Sequence, residues 1–242
     1  MPPSSPGKHG MPTPADIEDV IEVPAEPSGS ERRDDGRVIV NLPGRYMLAN
    51  KRKLNGDRCE FACRIVNLSL AAMALAAPVP GAIGERVIVY SELFGQLHGV
   101  ITRMMTTGFV MSIAANPQVR EKLAAKLAWL AKQKNSPELA DSRRSARVVP
   151  KNPMAHILQA DGSITSCLVI DFSDSGVAVS ADLYPELGTP LAVGKMIGRV
   201  VRRFAEGFAI EFTEKTALAA VERLLATGDP ARLSSMKALL RQ

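Results

Sequence analysis

The chain carries the same β-rich text twice, and this repeat constrains its fold more than any other feature. Setting Gly99 on Gly198 brings Val100-Ile101-Thr102-Arg103 onto Arg199-Val200-Val201-Arg202, Gly108-Phe109 onto Gly207-Phe208, and Ile113 onto Phe212. Upstream the order persists at slightly different offsets. Arg33 and Arg37 fall on Arg143 and Arg147, and Asn67-Leu68-Ser69 falls on Asp171-Phe172-Ser173. A fixed order with drifting offsets is what loop-length differences between two homologous domains produce. A length of 242 residues then means one small domain written twice.

Each copy reads as short strands. Cys59, Phe61, Cys63 and Ile65 alternate with Glu60, Ala62 and Arg64, the period of two expected of a half-buried strand. Further β-like runs lie at 86–90, 99–104 and 109–113, and in the second copy at 154–159, 166–170, 177–180, 191–201 and 208–212. Several short strands separated by turn residues predict small barrels, in which closure removes exposed sheet edges. Helical text follows each copy. Asn116 suits an N-cap and Pro117 a first helical residue, and Val119, Leu123, Leu127, Leu130 and Ala131 then recur at helical spacing until Asn135-Ser136-Pro137. Trp129 is read beside those leucines, on a face that packs on the first barrel, bridges the two, or forms a dimer seam. A second helix is predicted over 214–226, stopped by Gly228, and a third from Pro230 behind the cap Asp229. The fold class is thus mainly β with helices: two small β-barrels, each followed by an α-helix.

Ahead of the repeat, residues 1–30 hold seven prolines with serines and glycines, a composition that predicts a disordered tail. The predicted plan is tail 1–30, first barrel 31–115, connecting helix 116–136, second barrel 137–213 and C-terminal helices 214–242. In the tail Lys8 stands against Asp16, Glu18, Asp19, Glu22 and Glu26, a formal −4, so a net +5 leaves +9 on the remainder. A basic body predicts an anionic partner without naming it. The longest apolar run, 68–80, falls short of the ~20 residues of a membrane helix, and no secretory signal opens the chain. Three cysteines, an odd and small number, fit a reducing compartment, so the protein is expected in the cytoplasm.

Two motifs in each copy carry chemistry. Arg33 and Arg37, like Arg143 and Arg147, are two arginines four apart; about thirty residues later stand Asn67, Ser69 and Ala72, or Asp171, Ser173 and Gly176. A guanidinium binds phosphate, donates two bonds to the O6 and N7 edge of guanine, and stacks on a base. A carboxylate or amide oxygen on a neighbouring strand receives base N–H donors. Serine adds a hydroxyl, and glycine permits close approach of backbone or ligand. Together these residue types suit a purine that carries negative charge.

The pairing of the motifs in this order resembles the PilZ domain family, a bacterial β-barrel module that binds cyclic di-GMP, over about residues 31–115 and 141–213. The family pattern is RxxxR before the barrel and [D/N]xSxxG on a barrel strand. The resemblance implies that Arg143 and Arg147 contact phosphates and guanines while Asp171, Ser173 and Gly176 hold a guanine. The second copy matches completely. The first offers a second candidate site, Arg33, Arg37, Asn67 and Ser69, but Ala72 replaces the glycine, a strain of about 1 kcal/mol if that position requires positive φ. The resemblance further implies a non-enzymatic receptor with cyclic di-GMP as ligand and no cofactor. It would be an adaptor coupling the messenger, through an effector protein, to motility, exopolysaccharide synthesis or adhesion. Its expected mechanism is ordering of 141–147 against the second barrel by the ligand.

Plainer readings stand beside these. The arginines can form a solvated basic segment, and Asp171 and Ser173 an Asx or serine turn. Cys59 and Cys63 have no further metal ligands nearby and are read as core. His9, His98 and His156 lie far apart with no nucleophile motif around them, and neither GxGxxG nor GxxxxGK[ST] occurs. Catalysis and a metal site are therefore not expected. A barrel that has lost nucleotide binding and serves as a protein–protein adaptor is the alternative. A nucleic-acid-binding barrel is disfavoured by 5% aromatic content, since single-strand binders stack bases on aromatics.

Overall fold

The computed structural model describes residues 38–53, 55–133 and 147–226. The tail at 1–30, Arg33, Arg37, Arg143, the predicted helix end at 135–137 and the helix from Pro230 lie outside the described residues. Twelve strands form two closed barrels. The first comprises β1 (Val38–Leu48), β2 (Phe61–Leu68), β3 (Ala72–Ala76), β4 (Arg86–Ser91), β5 (Gly95–Met105) and β6 (Gly108–Ser112). The second comprises β7 (Met154–Gln159), β8 (Ile164–Phe172), β9 (Gly176–Ala181), β10 (Pro190–Val193), β11 (Met196–Phe204) and β12 (Gly207–Phe212). Around the first barrel the order is β1-β2-β3-β6-β5-β4, and the second repeats it as β7-β8-β9-β12-β11-β10.

The duplication extends to irregularities. The register of β2 against β3 shifts between Ile65 and Asn67, and that of β8 against β9 between Val169 and Asp171. Likewise β5 against β6 shifts between Ile101 and Arg103, and β11 against β12 between Val200 and Arg202. Aligned glycines serve one purpose in both copies. A Cβ on Gly99 would lie 1.7 Å from the Ser112 carbonyl oxygen, and one on Gly198 would lie 2.2 Å from that of Glu211. The text at 191–201, read as one run, is instead a hairpin. Gly194, at φ 54°, turns the chain between β10 and β11.

Each barrel interior is filled from its own strands and closed by a helix. In the first, Tyr46 packs its ring edge-on to Phe109, centroids 5.5 Å apart, and its hydroxyl donates to the Val79 carbonyl at 2.7 Å. Helix α1 (Pro117–Gln133) is capped as its sequence predicts, the Val119 N–H donating to Asn116 Oδ1 at 2.9 Å. Its Leu123 and Leu127 join the first barrel's core, so the helix packs on that barrel. Trp129, expected beside them, is 48% exposed, because two residues on from Leu127 is a different helix face. Helix α2 (Leu218–Ala226) places Val221 and Leu225 in the second core. It begins at Leu218 rather than residue 214, because the Thr213 N–H is taken by the Ile197 carbonyl and the Thr216 N–H by that of Asp174. No helix among the described residues is long and apolar enough to cross a membrane.

A further expectation is overturned. The strand read as half-buried is buried on both faces: outward-facing Ala62 and Arg64 are as buried as inward-facing Cys63 and Ile65. The cover is the second barrel. The Ala62 N–H donates to Ser180 Oγ at 2.9 Å, Arg64 Nη2 donates to the Ile170 carbonyl at 3.0 Å, and the Tyr184 hydroxyl lies 2.9 Å from Cys59 Sγ. Small outward residues of β9, Ala178 and Ser180, are buried with them.

Two of the close inter-strand approaches give a stability test. Gly99→Ala and Gly198→Ala each force strands apart against backbone oxygens. Each should destabilise the protein by about 1–3 kcal/mol, read as a lower thermal midpoint by circular dichroism.

Candidate functional site

Beyond β8, the chain turns at Ser173 and returns as β9. The turn is closed by the Ser173 N–H donating to the Gly176 carbonyl at 2.8 Å, with Ser173 Oγ accepting the Ser175 N–H at 3.3 Å. Ser69 does the same in the first barrel, its N–H donating to the Ala72 carbonyl at 2.8 Å and its Oγ accepting the Ala72 N–H at 3.0 Å. Both motif serines thus shape their turns, as the serine-turn reading has it.

The segment at 147–148 is tied to the same strand end. The Val148 N–H donates to the Phe172 carbonyl at 2.8 Å, and the Phe172 N–H returns a bond at 3.0 Å. Val38 pairs with Leu68 equivalently in the first barrel. This two-bond bridge fixes Arg147 next to Asp171. Arg147 Nη1 lies 3.3 Å from Asp171 Oδ2 and 3.4 Å from Oδ1. One nitrogen is shared between two oxygens, and the side chains stay 46% and 26% exposed, so the pair is weak and open to exchange.

Around this pair lies a cleft of about 260 Å³. Arg147, Asp171, Ser173 and Gly176 line one part of it, and Arg202 and Glu211 another. The structure therefore brings together four of the five residues singled out in the second copy; the fifth, Arg143, is outside the described residues. Gly176 is not in a positive-φ conformation. Its role is steric: a Cβ there would stand 2.7 Å from the Ile210 carbonyl oxygen. The strain anticipated at Ala72 is absent for the same reason, since no non-glycine residue among those described has positive φ. Ala72 pairs in register with Ser112.

The corresponding cleft of the first barrel holds about 70 Å³ and is lined by Asn67, Ser69, Ala72 and Arg103, among others. Asn67 Oδ1 is buried there without a hydrogen-bond partner among the described residues. Arg33 and Arg37 cannot be placed in relation to it.

Arg202 and Arg103 were missed as cleft residues. The signal was available, because the repeat aligns Arg103 with Arg202. Each follows a register shift in its strand, and such bulges re-aim the next side chain. Among the described residues no group of three or more His, Cys, Asp or Glu could hold a metal ion. All three cysteines are buried and unpaired. Burial pushes the Cys63 thiol up to about 12, with Arg64 acting against it, and burial likewise raises Cys167.

No protein-family model matches the chain, and no curated protein matches its sequence. Among solved structures it is similar to the Bacillus subtilis inhibitor of motility MotI/DgrA, at 12% identity over 85% of this chain and 100% of that one, TM-score 0.25. It is also similar to Borreliella burgdorferi PlzA in complex with c-di-GMP, at 11% identity over 79% and 92% of the two chains, TM-score 0.25. Escherichia coli YcgR in complex with c-di-GMP gives 11% identity over 83% and 86%, TM-score 0.23. At such scores these likenesses carry no weight for the ligand, and the chain's own residues must.

Two outcomes follow from the site's geometry. Arg147→Ala removes an exposed pair and should change stability by less than about 1 kcal/mol, measured by urea denaturation. A thiol-specific reagent at pH 8 should leave Cys63 and Cys167 unmodified in the folded protein and label both once it is unfolded.

Proposed function

We propose that this chain is a PilZ-type receptor that binds cyclic di-GMP in the cleft of its second barrel, without catalysing a reaction. The observation that supports this most is the cleft's arrangement. Exchangeable guanidinium groups, Arg147 and Arg202, share a 260 Å³ space with acceptors Asp171 and Glu211, over a strand that Gly176 keeps clear of a side chain.

The chemistry matches what such a ligand presents. A guanine offers N–H donors, which Asp171 accepts, and an O6 and N7 edge that a guanidinium reads with two bonds. The phosphates attract Arg147, Arg202 and, from the adjoining segment, Arg143. Binding exchanges the weak Arg147–Asp171 pair for two stronger partnerships: phosphate for the arginine, base for the carboxylate. Drawing the 141–147 segment onto the second barrel is the conformational step by which the ligand would be sensed. The output would pass to an effector protein in the cytoplasm, governing a process such as motility or exopolysaccharide production. In the first barrel, Asn67 Oδ1 is an acceptor that a ligand N–H would satisfy, with Arg33, Arg37 and Ser69 completing a second site. The smaller cleft makes the second barrel the primary one.

Isothermal titration of cyclic di-GMP into the full chain tests this. Wild type should give saturable heat, and Arg143→Ala and Arg147→Ala should each bind at least tenfold more weakly, because a hydrogen bond to a charged group contributes about 1.5–3 kcal/mol. No heat from wild type, or equal heats from all three, would overturn the reading in favour of an adaptor that does not bind nucleotide.

A further inference from the structure

Arg64 is in the wrong place for an ordinary surface arginine. It lies on β2 of the first barrel, is only 6% exposed, and reaches across to the second barrel, where Nη2 donates to the Ile170 carbonyl at 3.0 Å. Ile170 is the residue at which the register of β8 shifts, immediately before Asp171. At a bulge the ladder is interrupted, which leaves a carbonyl free to accept another donor and turns the following side chain to a new direction. The corresponding position of the second copy is Leu168, also buried and facing out of its barrel. A leucine satisfies that packing, so packing alone gives no reason for an arginine.

A guanidinium keeps its charge when buried and is costly to desolvate without compensation. Among the described residues no carboxylate lies within ion-pair distance of Arg64. Burial draws its pKa below the ordinary arginine value, and Cys63 and Asp171 act in the opposite direction. Asp171 thus has Arg147 paired with it directly, and Arg64, from the other barrel, held on the carbonyl of the residue before it.

We infer that Arg64 is a positioning residue of the second barrel's site, fixing the Ile170 bulge and supplying the buried counter-charge to Asp171 when Arg147 is drawn to a phosphate. This deepens the cyclic di-GMP reading and rests on it. It makes ligand affinity depend on one particular contact between the barrels, that of Arg64 with Ile170, and linkage makes the dependence reciprocal: ligand in the second barrel tightens the hold on Arg64 and its strand. No contact between ligand and first barrel is required.

Two readouts on the full chain test the inference. In the titration, Arg64→Met should bind between about fivefold and 100-fold more weakly, the range of ordinary coupling energies, while Arg64→Lys recovers most of the loss. Replacing a buried charge by an apolar side chain of similar volume is often tolerated in folding, and a thermal melt of each variant checks this. Ser180→Ala removes the Ala62 N–H contact without changing charge and should bind like wild type. In hydrogen exchange, cyclic di-GMP should slow the amides of 61–68 in wild type but not in Arg64→Met. Equal affinities of wild type and folded Arg64→Met, unchanged exchange at 61–68, or an equal loss in Ser180→Ala would each overturn the inference while leaving the binding site intact. Absence of any heat from wild type would remove the functional reading, and this inference with it.

Discussion

In a closed barrel every strand has two neighbours, so backbone donors and acceptors are consumed by the ladder. What remains available for other purposes is found where that ladder is interrupted. Both barrels interrupt it in the same pair of places, near Val66 and Thr102 in the first and near Ile170 and Val201 in the second. In the second barrel those interruptions flank the cleft. One precedes Asp171, the other precedes Arg202, and the carbonyl released at Ile170 is where the first barrel takes hold. The interruption at Ile170 thus serves the site and one of the contacts between the barrels alike.

Much of this was legible in the residues. Gly99 and Gly198 pointed to the repeat because each occupies a spot where strand crosses strand too closely for a Cβ, a requirement no other residue meets. Asn116-Pro117 announced the first helix because capping is a local matter. The motif residues of the second copy were legible as types, a guanidinium beside a carboxylate, because their chemistry does not depend on knowing the fold. Arg202 was legible only in retrospect. Its alignment with Arg103 was plain, but a basic residue on an exposed strand face has a bland explanation until a bulge is seen to aim it at a cleft.

What escaped was whatever depends on a surface meeting another surface. A period of two assigns side chains to faces without saying what covers the outer face, so Arg64 read as solvated when the second barrel lies over it. The helix at 214–226 was expected to start early because propensity is local, whereas the Thr213 and Thr216 N–H groups donate to the carbonyls of Ile197 and Asp174, outside the local window. The glycine of the second motif serves close approach, as its type suggests, but that the approach is to the Ile210 carbonyl of a neighbouring strand could not be read locally. Each miss replaces a local rule with a partner that the local rule cannot see.

The two copies, alike in strand order and in two register shifts, are set apart by what faces outward from them. β9 offers Ala178 and Ser180, residues small enough to be covered. β2 answers with an arginine where the other copy keeps a leucine. A lone barrel with this sequence would leave that guanidinium in water, where it needs no compensation and would hold nothing. Only when the second barrel covers it does the charge acquire a consequence, because a buried charge interacts with its neighbours through a medium far less screening than solvent. The duplication therefore does more than provide a second pocket: it creates an environment in which a residue of one copy can act on the electrostatics of the other.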